Sequence, residues 1–217
     1  MKTMVDDTLL MDYASGALAE PVALAVAAHL ALHPEAGSAY RTATALGGQL
    51  LEDLDGEPVS DAALDALLDR LDEPESPSAV RRPGFDDTTR ALVPEVLQPY
   101  LPRSLDALDW KRIGMGVEEA RLSTASSGYR VSLLRIKPGQ AMPRHSHRGC
   151  EYTVVLDGSY CDGGTIFARG DFCEADAADQ HQPTADAKTG CLCLIVLDQP
   201  VKLSGPMGWV VNPFLKN

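Results

Sequence analysis

No stretch of this 217-residue sequence approaches the roughly eighteen uninterrupted apolar residues of a membrane span. Its first residues, Met1-Lys2-Thr3-Met4-Val5-Asp6-Asp7, lack the basic and apolar regions of a secretion signal. Membrane and exported classes are therefore disfavoured, and the cytoplasm is the expected compartment. A disulfide framework is missing too. The five cysteines are an odd number without framework spacing, all between positions 150 and 193. No internal repeat is visible. Basic residues are scarce where acidic ones are plentiful: residues 1–75 hold 15 Asp and Glu against 3 Lys and Arg, which accounts for the whole formal net charge of −12. Such a field repels nucleic acid and attracts basic protein surfaces, so direct DNA binding is disfavoured and a basic protein partner is favoured over it.

What is present is a 45% hydrophobic chain, enough for real cores. Asp6 and Asp7 open a first helix that carries Leu9, Leu10 and Tyr13 at helical spacing. Glu20-Pro21 opens a second, nearly all apolar up to Pro34, which should be a central, buried helix. A third runs from about Glu35 to Leu54, with Ala39, Ala43, Leu46, Leu50 and Leu51 on one stripe. The fourth starts at Ser60 as N-cap and carries Leu64, Leu67, Leu68 and Leu71 beside Asp61, Asp65, Asp69, Asp72 and Glu73. A leucine stripe is ordinarily core. A domain of about 70 residues has little core to spare, however, so a helix that lies on a partner is the competing reading.

Asp72 to Pro83, D-E-P-E-S-P-S-A-V-R-R-P, reads as a linker. Short strand-like runs follow at Asp109–Gly114, Ala120–Leu122, Tyr129–Ile136, Tyr152–Leu156, Thr165–Ala168, Cys191–Leu197 and Val201–Leu203. Gly- and Pro-rich turns separate them, the pattern of an antiparallel sandwich or barrel. The fold class is thus α+β. A helical domain (1–73) leads through a Pro-rich linker (74–88) to a β-barrel domain (89–217).

The chemistry concentrates in Gly139 to Gly158, G-Q-A-M-P-R-H-S-H-R-G-C-E-Y-T-V-V-L-D-G. His145, His147 and Glu151 share parity, so on a strand all three point into one interior. Two imidazoles and a carboxylate supply most of a first shell for zinc, iron, manganese or nickel. His181, after a second apolar run and the turn at Gly170-Asp171, is the expected fourth ligand. Cys191 and Cys193 share a strand face and are expected to be buried packing.

The spacing G-x5-H-x-H-x3-E-x6-G, met by Gly139, His145, His147, Glu151 and Gly158, resembles the first motif of the cupin superfamily. Only Gly170 and His181 stand in for the second. That resemblance implies a jelly-roll barrel. The order of acidic helices, linker and cupin is in turn similar to the ChrR-type anti-sigma factors, with Leu9, Leu10, Tyr13, Ala14, Gly16 and Leu18 matching L-L-x-x-Y-A-x-G-x-L. The resemblance implies helices that wrap an extracytoplasmic-function sigma factor, and a cupin that holds one divalent metal, zinc first, and serves signal response or release. It departs at the helical domain's zinc motif, a distal His followed by H-x3-C-x2-C. His29 matches the motif His, but His33 and Ala36 replace the cysteines and Met4 takes the distal place. Two imidazoles at i and i+4 without thiolates make a weak site, so no high-affinity zinc is expected there. The rival class is a cupin metalloenzyme, dioxygenase-like, with Tyr152, Tyr160 and Asp162 as unplaced candidate bases. A metal-stabilised homodimerisation barrel is the third reading.

Overall fold

The structure, a computed structural model, describes residues 3–71, 84–126 and 128–203. The expected linker over 72–83 lies outside them. Five helices and eleven strands are present among the described residues: α1 (Asp7–Ala14), α2 (Glu20–Leu32), α3 (Gly37–Glu52), α4 (Asp61–Leu71), α5 (Asp87–Leu92), β1 (Lys111–Gly114), β2 (Val117–Leu122), β3 (Arg130–Ile136), β4 (His145–Ser146), β5 (Glu151–Asp162), β6 (Thr165–Ala168), β7 (Phe172–Ala175), β8 (Gln180–His181), β9 (Thr184–Ala185), β10 (Cys191–Leu197) and β11 (Lys202–Leu203). No helix among the described residues is long and apolar enough to cross a membrane.

Local chemistry sets the helix ends. Asp6 accepts from the Leu9 amide at 2.8 Å and caps α1. Pro21 sits in the first turn of α2, where its missing N–H costs nothing. Asp86 caps α5 through the Thr89 amide at 2.7 Å, and Phe85 is buried. The last residues of the expected linker are therefore structured.

All strand pairings are antiparallel. One sheet runs β1-β2-β3-β10-β5-β6, with β7 and β9 also on β5; a second runs β11-β4-β8. The register fixes which side chains meet. Arg130, Leu197 and Glu151 form one row across β3, β10 and β5, followed by Ser132-Ile195-Thr153 and Leu134-Cys193-Val155. Those residues face the barrel interior, together with Val117, Glu119 and Arg121 of β2, since alternate residues share a face.

The alternate residues explain the position of α2. Every residue of β10 is buried. Its odd positions fill the barrel with Phe167 and Tyr160, while Leu192, Leu194 and Val196 join Val154, Leu156 and Phe172 in a second core with Val22, Ala25 and Val26 of α2. An all-apolar helix has to be covered on every side. The sequence places α2 at the centre of a helical domain; in the structure it is central, but its cover is the outer face of the barrel sheet.

Both ends of α2 are tied to the barrel half. Glu20 accepts from Tyr100 Oη at 2.9 Å and from the backbone amides of Ala125 and Ser126 at 2.9 and 3.1 Å. These contacts, the Tyr100 hydroxyl first, hold its carboxyl below the usual range. At the other end His29, fully buried, donates through Nδ1 to the Gly170 carbonyl at 2.7 Å. Gly170 has φ +93°, and a Cβ there would lie 3.2 Å from the Leu32 carbonyl oxygen, so a side chain would push α2 off the turn.

Candidate metal centre and the uncovered helical face

His145 and His181 are cross-strand partners on β4 and β8. His147 follows β4 directly, and Glu151 opens β5 after a turn in which the Cys150 amide donates to Asp198 at 2.7 Å. The expectation of one continuous strand from His145 to Glu151 is therefore replaced by two strands and a turn. The four residues converge all the same, with ligand atoms within 4.8 Å of one another. His145, His147 and His181 are buried, and Glu151 is half-buried.

Hydrogen bonds fix two of the imidazoles. His145 donates from Nδ1 to the Pro143 carbonyl at 2.8 Å, and His181 donates from Nδ1 to Asp162 at 2.6 Å. Each then turns an Nε2 lone pair into the cluster. A carboxylate behind a histidine is the arrangement that orients imidazole ligands. His147 Nε2 lies 2.9 Å from His181 Nε2, while His147 Nδ1 is buried without a hydrogen-bond partner, 3.9 Å from Glu151. Burial pushes the pKa values of His145 and His147 down, so both are neutral at neutral pH, the form in which imidazole binds a cation. Converging lone pairs, one carboxylate and an orphaned buried nitrogen suit a divalent ion.

The three residues considered as catalytic bases stand elsewhere or are engaged. Tyr152 faces the helical side, its ring 6.2 Å from Phe172. Tyr160 stacks on Phe167 at 4.8 Å inside the core, and burial raises its pKa far above the ordinary phenol value. Asp162 is committed to His181. Sequence periodicity did not find that role because the register of β5 against β10 slips between Val155 and Asp157. The bulge moves the inward face from odd to even positions, leaving Cys161 exposed and Asp162 buried.

His29 and His33 sit with ring centroids 5.5 Å apart. His29 Nδ1 is spent on Gly170, and His33 Nε2 lies 3.8 Å from Asp171. Among the described residues, His145, His147, Glu151 and His181 are the one group of three or more ligating side chains that could hold a metal. Cys191 and Cys193 are buried, as their place in the apolar run predicts, with Sγ atoms 3.2 Å apart.

A second feature stands on the helices. Leu46, Leu50 and Leu51 of α3 are 49%, 62% and 69% exposed, and Leu64, Leu67, Leu68 and Leu71 of α4 are 54%, 56%, 50% and 74% exposed. The leucine stripe of α4 is thus not core in this chain, and its acids flank it.

An antiparallel barrel with three imidazoles and a carboxylate turned inward is that of a cupin, and the model of the ChrR cupin-like domain matches residues 103–201. The likeness extends beyond the barrel. The anti-sigma-E factor ChrR of Cereibacter sphaeroides is 34% identical over 212 residues, 98% of this chain and 97% of that protein. The crystal structure of Rhodobacter sphaeroides SigE in complex with the anti-sigma ChrR superposes with a TM-score of 0.77 at 33% identity, covering 91% of this chain and 99% of the matched one. The chain belongs to the ChrR family of anti-sigma factors.

Proposed function

We propose that this protein binds and inhibits an extracytoplasmic-function sigma factor through its helical segment, and that its barrel holds one divalent ion, zinc first, as the responsive half. The observation that carries the reading is the exposed leucines of α3 and of α4, the latter bordered by acids, in a member of a family with a relative solved on a sigma factor. Each leucine buried on a partner contributes about 1.5–3 kcal/mol. The acids steer the approach of the basic surfaces such a partner would present and pair with Lys and Arg on arrival.

His145, His147, Glu151 and His181 would hold the ion, which supplies a cross-link between β4, β8 and the start of β5. Asp162 orients His181, and the Pro143 carbonyl orients His145. Glu151 stands on β5, and the outer face of β5 and β10 carries α2. A change at Glu151 thereby reaches α2 through one thickness of sheet.

Co-elution of the full chain with an extracytoplasmic-function sigma factor on a sizing column tests the first half. Leu64→Asp/Leu68→Asp should elute alone, and sigma retained by that variant would end the assignment of the face. His145→Ala and Glu151→Ala should alter release of sigma while leaving its capture intact. Loss of capture in those variants would count against the division of labour. A regulatory barrel also predicts no oxygen consumption with small diketones, the substrates that a dioxygenase-type cupin would turn over.

A further inference from the structure

The inner face of β2 and β3 carries a polar group that the metal centre does not use. Glu119, buried on β2, accepts on Oε1 from Arg130 Nε at 2.8 Å and from Ser132 Oγ at 2.6 Å. Burial alone would raise its pKa, but the bonds from Ser132 and Arg130 hold it below the ordinary value, and it stays ionised. Arg121, also inward on β2, reaches Glu119 Oε2 only at 3.8 Å and keeps 56% of its side chain exposed. One carboxylate thus faces two guanidinium groups, and the cluster carries an excess positive charge. Arg121, half-exposed at the cavity wall and no closer than 3.8 Å to Glu119, is the guanidinium left to meet an incoming anion.

These groups open on a cavity of about 730 Å³. Its walls are mainly apolar, among them Ile113, Val117, Leu134, Met142, Ile195 and Leu197, and His145 and Glu151 line it as well. That volume falls within the range of small-molecule sites. The register gives the span. Arg130 and Glu151 flank Leu197 in one row, so two strand spacings, roughly 10 Å, separate the arginine end from the candidate metal end.

We infer that this cavity binds a small organic carboxylate, its anionic end at Arg121 and Arg130, its apolar body over Leu134, Ile195 and Leu197, its far end toward His145 and Glu151. Arg121 is the specificity-determining residue, because Arg130 is already engaged by Glu119. A ligand of this kind would occupy the space directly beneath the sheet that carries α2, which gives the responsive half a ligand class. The inference rests on that reading of the barrel for its biological meaning and not for the binding itself.

The test is calorimetric titration of the full chain with straight-chain carboxylates from butanoate to decanoate, each against the alcohol of equal length. Saturable binding of at least one carboxylate, tenfold or more tighter than its alcohol, is expected. Arg121→Ala should weaken the carboxylate at least tenfold and leave the alcohol unchanged, whereas Arg121→Lys should restore most of the difference. The half-exposed Arg121 is replaced rather than Arg130, whose loss would strand buried Glu119. No saturable carboxylate across the series, or no preference over the alcohols, overturns the inference. So does a preference untouched by Arg121→Ala, or one abolished by chelator alone, since both would place the anion on a metal. Sigma co-elution with the same variants keeps a failure of this site distinct from a failure of the anti-sigma reading.

Discussion

Replacing His29 by alanine tests what holds the helical half in place. The imidazole makes one hydrogen bond, from Nδ1 to the Gly170 carbonyl at 2.7 Å, and meets the ring of Phe172 edge-on at 5.7 Å between centroids. Loss of the donor strands a buried carbonyl, at a cost of about 1–3 kcal/mol. Loss of the ring contact adds about 0.5–1.5 kcal/mol. The sum, about 1.5–4.5 kcal/mol, corresponds to a fall of roughly 3–18 °C in Tm for a chain of this length. Asn places a side-chain N–H where Nδ1 stood, so His29→Asn should recover about half of the loss. Urea titration monitored by far-UV ellipticity gives the global figure. Hydrogen exchange of the α2 amides shows whether the helix has left the sheet. A stability within 0.5 kcal/mol of the parent, or unchanged α2 protection in the alanine variant, would refute the view that His29 anchors this helix to the barrel.

Burial lowers the pKa of His29, so the unfolded chain takes up the proton first. Its contribution is therefore complete above about pH 6.5 and declines as the pH drops below that value, by at most about 1.4 kcal/mol per pH unit. Stability profiles of the parent and His29→Asn should run parallel above about pH 6.5 and converge below it, as only the parent loses stability to this proton; profiles parallel throughout would exclude it. Asp162→Asn should weaken divalent-ion affinity about 10–100-fold through His181, as read by competition with a chromogenic chelator; equal affinity would remove Asp162 from the site. Leu64→Asp/Leu68→Asp should reduce sigma affinity more than a hundredfold, since two buried leucines are worth about 3–6 kcal/mol, with an unchanged melting curve because neither is buried in the free chain. Gly158→Ala should unfold or severely destabilise the barrel. Gly158 has φ +69°, and its Cβ would lie 2.2 Å from the Gly190 carbonyl oxygen; normal expression and melting would contradict that backbone approach.

Much of the barrel could be read in advance because its strands obey a two-residue period. Thr165–Ala168 and Cys191–Leu197 occur at the expected bounds, and Arg130–Ile136 within one residue of them. The two-residue strands β4, β8 and β9 are too short to carry a period, and β7 hides behind the Gly170-Asp171 turn. Parity grouped His145, His147 and Glu151, and they do converge, but a turn rather than a continuous strand delivers Glu151. Asp162 escaped because one bulge reverses the parity that worked upstream. The helices show a different limit. Composition marks α2 as buried, but no local pattern states what covers it, and the answer, the even face of β10 and β5, lies more than a hundred residues away. For α4 the pattern of Leu64, Leu67, Leu68 and Leu71 is the same whether the stripe is core or docking face. Only the exposure of those leucines in the folded chain decides, and that belongs to tertiary structure.

Run-off transcription by core RNA polymerase and an extracytoplasmic-function sigma factor from the same genome, titrated with the full chain, tests the account most directly. Transcripts should vanish as the chain reaches equimolarity with sigma and persist when Leu64→Asp/Leu68→Asp is added instead. Undiminished transcription in the presence of excess full chain, with each candidate sigma factor in turn, would contradict it.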